Sequence, residues 1–352
     1  MTITAERSSD ASARENLRDL LAKYHCRVHQ PSDPPLFSRE PKSPMQSHHW
    51  KWSDLRPLLN AIGQGIDLNA TGPRRTLRLA SPGLESGTTP TFWASIQVIL
   101  PGEVAGAHRH SASAFRFVME GGGAKTTVNG ESYEMNTGDL VLTPAWAWHD
   151  HTYNGSTPMI WLDILDIPLM HVLHATFFDA YDSPTQPVSN IPDRSYRRYG
   201  SGLMRPTEPS RDEQGLNPLL AYKKQMAEEA LHQAEGGVVD PIDDVILEYQ
   251  NPVNGKSALP TLSLYLQKLR PGMRGAKRRN TGCRLYYVVR GNGMTHAGAS
   301  EFRWAAGDFI VIAPWNWHSH VNLSDTEEAV LFQVTDGPTL KALGFYREEL
   351  EK

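Results

Sequence analysis

Trp146-Ala-Trp-His149-Asp-His151 recurs 169 residues later as Trp315-Asn-Trp-His318-Ser-His320. Three further blocks repeat in the same order. Gln97-Val-Ile-Leu-Pro-Gly102 matches Gln267-Lys-Leu-Arg-Pro-Gly272 and Phe117-Val-Met-Glu-Gly121 matches Tyr287-Val-Val-Arg-Gly291, both 170 residues apart, while Gly138-Asp139 matches Gly307-Asp308 at 169. Four ordered blocks with a single one-residue gap mean two copies of one module, a pattern that sets the architecture before any side chain is read. Inside the first copy, residues 92–100, 114–119, 138–143 and 159–165 are short runs of apolar and β-forming residues punctuated by Gly, Asn and Pro, the signature of strands. The chain is therefore expected to be all-β and built from two tandem units.

Outward from the repeat, Leu17, Leu20, Leu21 and Tyr24 fall at helical spacing within 12–24, and Pro31, Pro34, Pro35, Pro41 and Pro44 then make an extended arm. Ser53 followed by Leu55, Leu58, Leu59 and Ile62 predicts a capped helix over 52–62, and a second helix is predicted over 217–235. These signals divide the chain into an N-terminal arm (1–72), a first module (73–180), a connector (181–255) and a second module (256–352).

The composition excludes several classes. With 352 residues, 39% apolar and 21% charged, the chain is long enough for two cores and unlike a disordered one. Thirty-five basic against 39 acidic side chains leave a charge of −4, not the basic footprint of a nucleic-acid binder. Two cysteines, Cys26 and Cys283, do not make a disulfide scaffold. The polar N-terminus carries no secretory h-region, and the apolar stretch 160–178 is broken by Asp163, Asp166, Pro168, His171 and His174. A cytoplasmic protein with no nucleic-acid or membrane partner is expected.

His108 and His110 lie two apart in a β context, so both imidazoles point to one face, and His149 ends a later strand that a barrel can bring beside them. Three neutral nitrogen ligands leave open positions on an octahedral ion, room for a substrate and dioxygen together. The competing reading, three surface or hydrogen-bonded histidines, suits a lone His better than this spacing. In the second copy Arg278 and Asn280 stand where His108 and His110 stand, and an arginine cannot lose its proton to ligate. That copy is predicted to hold no metal, with His318 and His320 structural.

Gly102-x5-His108-x-His110 and Gly138-x5-Pro144-x4-His149 resemble the two cupin motifs, which makes the repeat a bicupin: two tandem double-stranded β-helix (jelly-roll) barrels with an N-terminal helical arm and connecting helices. The first motif usually carries a glutamate where this chain has Ala114, which argues against a four-ligand site. Together with Arg116-Phe117, Pro144-Ala-Trp-Ala-Trp-His149-Asp-His151 and an upstream arginine cluster, the chain is similar to the gentisate 1,2-dioxygenase family over roughly residues 30–345; that family includes salicylate and 1-hydroxy-2-naphthoate 1,2-dioxygenases. The resemblance implies one Fe(II) per chain on His108, His110 and His149, and a homotetramer. It implies an oxidoreductase that uses both atoms of O2 to open gentisate between its carboxyl- and hydroxyl-bearing carbons, giving maleylpyruvate. The substrate would be a small aromatic 2-hydroxy carboxylate, with salicylate, a substituted salicylate or 1-hydroxy-2-naphthoate as the alternative. A reading from another class is a bicupin that binds a ligand without turnover.

Arg116 falls an even step past His110 and should face inward, where a substrate carboxylate or a structural acid must pair it. Alternation in 73–80 places Arg74 and Arg78 on one face, which the resemblance assigns to carboxylate recognition and local pattern alone to a solvated edge. His151 shares the face of His149, and the resemblance suggests a hydrogen bond to substrate, not ligation. Asp163 is expected to orient His151 or take a ring-hydroxyl proton, the alternative being a structural pair. Gln97, Trp93 and Trp161 are expected to line the ring pocket, although core packing accounts for the two tryptophans equally well. Met45 is expected either to close over the pocket or simply to pack.

Overall fold

The computed structural model describes residues 17–65, 75–189, 191–202, 204, 206–207, 216–237 and 239–351. Two units are distinguished, 1–42 and 43–352. In the first, a short helix over 17–23 is followed by irregular chain in which Arg27 pairs with Asp33 at 2.7 Å.

The second unit is two β-barrels, each made of a six-stranded and a five-stranded sheet. In the first barrel Trp93–Ile99, Met159–Leu165, Ala114–Glu120 and Leu140–Thr143 lie side by side, all antiparallel, facing a sheet that contains Val104–His110, His149–Thr152 and Gly122–Val128. Alternation decides what each face does. Ala94, Ile96 and Val98 leave the barrel to join a shared core, whereas Ile99, on the other face with Trp93, Ser95 and Gln97, joins the barrel interior. The second barrel repeats the plan with Ser263–Leu269, Ala329–Thr335, Arg284–Arg290 and Phe309–Ile312 facing Arg278–Asn280, His318–Asn322 and Asn292–Ala297. The backs of the two large sheets share one apolar core, in which Phe117 and Phe332 stack with centroids 4.3 Å apart and Phe115 meets Phe332 at 5.8 Å.

The barrels also exchange segments. Strand His48–Trp50 and helix Trp52–Gly65 precede the first barrel, yet the strand pairs with Phe309–Ile312 of the second. Strand Ala221–Tyr222 and helix Lys224–Ala234 precede the second barrel, yet the strand pairs with Leu140–Thr143 of the first. The repeated Gly-Asp pair is the latch for both. Asp308 accepts the Trp52 N–H at 2.7 Å and bonds His49 at 2.8 Å; Asp139 accepts the Lys224 N–H at 2.9 Å and Lys223 Nζ at 3.1 Å. In each case a carboxylate sits at the orphan donors of a helix start. Gly138 and Gly307 before them have φ of +89° and +93°, and a side chain there would strike Lys224 or Trp52. The helix predicted over 217–235 is shorter for this reason: Ala221–Tyr222 is drawn into a sheet, and the helix starts only at Lys224.

Trp146 and Trp315 also have positive φ, 62° and 61°, and each flanks an arginine with a second tryptophan. Arg109 lies 4.3 Å from the ring of Trp146 and 4.5 Å from that of Trp148, and Arg279 repeats the contact with Trp315 and Trp317 at 4.6 and 5.0 Å. The duplicated Trp-x-Trp pattern is thus a cation–π clamp that fixes the end of each ligand-side strand. No helix among the described residues is long and apolar enough to cross a membrane.

Candidate metal centre

His108 and His110 project from Val104–His110, and a bulge between Ala105 and His108 brings His108 directly opposite His149 on the neighbouring strand. The ring centroids of His108, His110 and His149 are 4.2 to 5.5 Å apart, and their ligand nitrogens all lie within 4.8 Å of one another. Among the described residues this is the one group of histidine, cysteine or acidic side chains that meets so closely. Each ring is held by its other nitrogen: Nδ1 of His108 bonds Gly106 O at 2.7 Å, Nδ1 of His110 bonds Ala112 O at 2.8 Å, and Nδ1 of His149 bonds Ala147 O at 3.0 Å. A carbonyl only accepts, so each Nδ1 carries the proton and each neutral ring presents its Nε2 lone pair to a common point. Three prefixed, neutral nitrogen donors suit a divalent transition metal.

Beside them the interior is polar on one side only. His151, fully buried, has its centroid 6.0 Å from that of His149, and its Nδ1 bonds Thr126 Oγ1 at 2.8 Å; the Thr126 hydroxyl in turn points at Met135 sulfur, 3.1 Å away. With its proton on Nδ1, His151 has an acceptor at Nε2. Arg116 has no exposed surface at all. Its Nη1 donates to Thr143 Oγ1 at 2.7 Å and its Nε lies 3.6 Å from Asp163, directly opposite on the adjacent strand, while neither Nε nor Nη2 has a hydrogen-bond partner. Burial pushes the Arg116 guanidinium below its ordinary value, and Asp163 opposes that shift. Gln97 Oε1 and Trp161 Nε1 are likewise buried without partners, and the Trp161 ring is 5.7 Å from His151.

Register places Arg78 opposite Ser95 and Thr76 opposite Gln97, so Arg78 lies on the interior face at the sheet edge, where it is exposed. Its guanidinium stacks 3.7 Å from the Trp93 ring, which is also edge-on to His171 at 5.7 Å. Arg78 and Trp93 thus make a rim, while Gln97, Arg116, His151, Trp161 and Asp163 are the interior. Arg74 lies outside the described residues. Within this chain Met45 is not brought to the ligands: it is buried in the core between the barrels with its sulfur 3.8 Å from Cys283 Sγ. Its flanking Pro44 explains why, since the Pro44 carbonyl is pinned against Gly83, whose φ is +85° and which has no room for a Cβ.

Several contributors were not visible in sequence. Thr126 and Thr143 hold His151 and Arg116, but a threonine in a strand carries no signal of its own. Arg75, buried on the opposite face from Arg78, is bound to Glu103. Phe178, from the edge strand Phe178–Ala180, stacks on His108 at 5.6 Å and lines a recess beside that ligand. In the second barrel Glu348 takes the corresponding place, pairing with Asn280 as Phe178 pairs with His110.

Comparison with known proteins follows the same division. The Cupin domain model matches residues 95–165 and 265–335, one copy per barrel. The chain is 37% identical to a gentisate 1,2-dioxygenase of Aquipseudomonas alcaligenes over 89% of each chain, and 36% identical to a 5-aminosalicylate 1,2-dioxygenase of Comamonas sp. over 89% of this chain and 84% of that one. Its backbone matches the crystal structure of the salicylate 1,2-dioxygenase of Pseudoaminobacter salicylatoxidans in its adduct with gentisate, with a TM-score of 0.87 and 32% identity over 96% of this chain and 94% of that one.

Proposed function

This chain belongs to the gentisate 1,2-dioxygenase family of bicupins, and we propose that its first barrel holds one iron(II) ion on His108, His110 and His149. The protein is a ring-cleaving dioxygenase that opens gentisate, a small aromatic 2-hydroxy carboxylate, between the carboxyl- and hydroxyl-bearing carbons. One ring carbon–carbon bond breaks and both atoms of O2 enter the product, maleylpyruvate, so no outside reductant is needed. The observation that carries the assignment is the pairing of three Nδ1-anchored imidazoles with a fully buried arginine whose Nη2 is uncommitted.

When bound, the iron supplies a Lewis-acidic centre with open positions at which a hydroxy acid and O2 can meet. The residues around it perform the rest. Arg116 is built to receive the substrate carboxylate: Thr143 holds Nη1, Asp163 balances the charge, and Nε and Nη2 keep donors to offer. Arg78 at the rim attracts and orients the anion, with Arg74 proposed to join it from the adjoining segment. His151, its Nδ1 tied to Thr126, takes the phenolic proton at Nε2, and Asp163 keeps Arg116 charged where burial alone would weaken it. Trp161, Gln97 and Trp93 wall the ring and exclude water. The two barrels thus divide the labour, with the chemistry in 73–180. A homotetramer and residence in the cytoplasm belong to the same proposal, checked by light scattering and by cell fractionation.

The deciding experiment is oxygen uptake by protein loaded anaerobically with Fe(II), offered gentisate, salicylate, 5-aminosalicylate, 1-hydroxy-2-naphthoate and catechol, with iron measured on the same sample. Uptake with the hydroxybenzoates but not catechol, at one iron per chain, is expected. A filled site with no uptake from any carboxylate would leave a binding protein. The relative rates rank gentisate against the 5-aminosalicylate for which the Comamonas relative is named.

A further inference from the structure

The polar half of the second barrel corresponds, position by position, to the metal half of the first, but its chemistry is different. Arg278 and Asn280 replace His108 and His110, His318 and His320 stand at His149 and His151, and Tyr286, Gln333 and Gln267 stand at Arg116, Asp163 and Gln97. All seven, with Arg284 at the Ala114 position, are more than nine-tenths buried. Arg278 commits both terminal nitrogens to Asp243 through two bonds of 2.5 and 2.8 Å. Arg284 does not: the oxygens of Glu348 come no nearer than 3.9 Å, and the neighbouring Asp336 is engaged by Thr91 and by the Cys283 N–H.

Buried polar atoms rarely lack partners. Here Nε of Arg278 and Arg284, Nδ2 of Asn280, both amide atoms of Gln333, Oε1 of Gln267, and Nε2 of His318 and His320 all do. The set contains donors and acceptors on different residues. His318 Nδ1 gives its proton to Asn316 O at 3.1 Å, leaving Nε2 as an acceptor. Burial, with Arg278 and Arg284 close by, holds His318 well below its ordinary value and pushes His320 down to about 3, so both rings stay neutral. Guanidinium and amide donors therefore stand beside imidazole lone pairs, which is the complement of a carboxylate next to a hydroxyl.

We propose that the second barrel is a metal-independent binding site for a small aliphatic hydroxycarboxylate, its carboxylate received by Arg284 and Asn280 and its hydroxyl donated to His318. His318 and His320 are then ligand-facing groups instead of the structural remnants that ligand counting alone suggests.

The probe is 3,3,3-trifluorolactate, followed by its 19F line with iron-loaded enzyme held anaerobically under saturating gentisate, so that the first barrel is occupied. Wild-type protein should broaden the line. Arg284→Met and Asn280→Leu should each weaken that binding by about tenfold or more, while Arg116→Met should leave it in place. A wild-type crystal soaked in the same acid should show it between Arg284 and His318. Ordered water alone at that position, or equal broadening by wild type and Arg284→Met, would overturn the proposal; because the soak uses unaltered protein, a variant that fails to fold does not remove the test.

Discussion

Arg116 hydrogen-bonds Thr143 through Nη1 and faces Asp163 at 3.6 Å, while its Nε and Nη2 are buried without a hydrogen-bond partner. Removing a buried charged partner costs about 2–5 kcal/mol, so Arg116→Met should lower kcat/KM for gentisate by about two to three orders of magnitude, mainly through KM, with iron content unchanged. Arg116→Lys should rescue little, because a point charge cannot reproduce the fork. An unaltered KM in the methionine variant would sink the carboxylate assignment. Thr126 is a positioning residue: Thr126→Val leaves His151 Nδ1 unpaired in a dry interior. The expected cost is about 1–3 kcal/mol of stability together with a lower kcat, and Thr126→Ser should restore both. Thermal unfolding alongside kcat and KM separates this from a purely structural loss, which would move the midpoint alone.

Among the elements, the reciprocal strand-and-helix exchange rests on Asp139 and Asp308, one at each helix start. Asp139→Ala and Asp308→Ala should each cost about 1–3 kcal/mol by leaving helix-start N–H groups without their acceptor. Burial alone would raise the Asp308 carboxyl, but His49 and the N–H groups of Trp52 and Ala305 hold it below its ordinary value. A depressed carboxyl stabilises the fold above its unfolded value of about 3.9 and loses that contribution as pH falls through the folded value. The stability gap between wild type and Asp308→Asn should therefore be full at neutral pH and close in acid below about pH 4. Urea midpoints measured from pH 7 downward check the sign; a gap that widened in acid would exclude the carboxylate as the latch.

On the scale of the molecule, the two barrels are joined back to back by a common core that neither could bury alone. Phe332 of the second barrel touches Phe115 and Phe117 of the first. Phe332→Ala should cost about 3–5 kcal/mol, and because the core is shared it should destabilise both barrels, lowering the midpoint of the iron-loaded barrel as well as its partner. Urea unfolding of loaded and chelated protein, read at both barrels, tests this coupling. If the first barrel kept its midpoint, the shared core would not be what joins them.

Much of this protein is written in its chain. The duplication, the all-β class, the histidine triad and the inward Arg116 follow from repeats and from the period of two, because a strand fixes which side chains share a face whatever surrounds it. Alternation also carried Gln97, Trp161, Asp163 and His151 to one interior, since each lies at even spacing on a strand of the same barrel. What a strand's period cannot tell is which strands become neighbours across sheets. The partners Thr126 and Thr143, the retreat of Met45 into the inter-barrel core, the role of Phe178, and the exchange of His48–Trp50 and Ala221–Tyr222 all depend on contacts between segments far apart in sequence. Local pattern determined which face each residue occupies; only the packed fold, where hydrogen bonds and apolar area are finally satisfied, decided what that face meets.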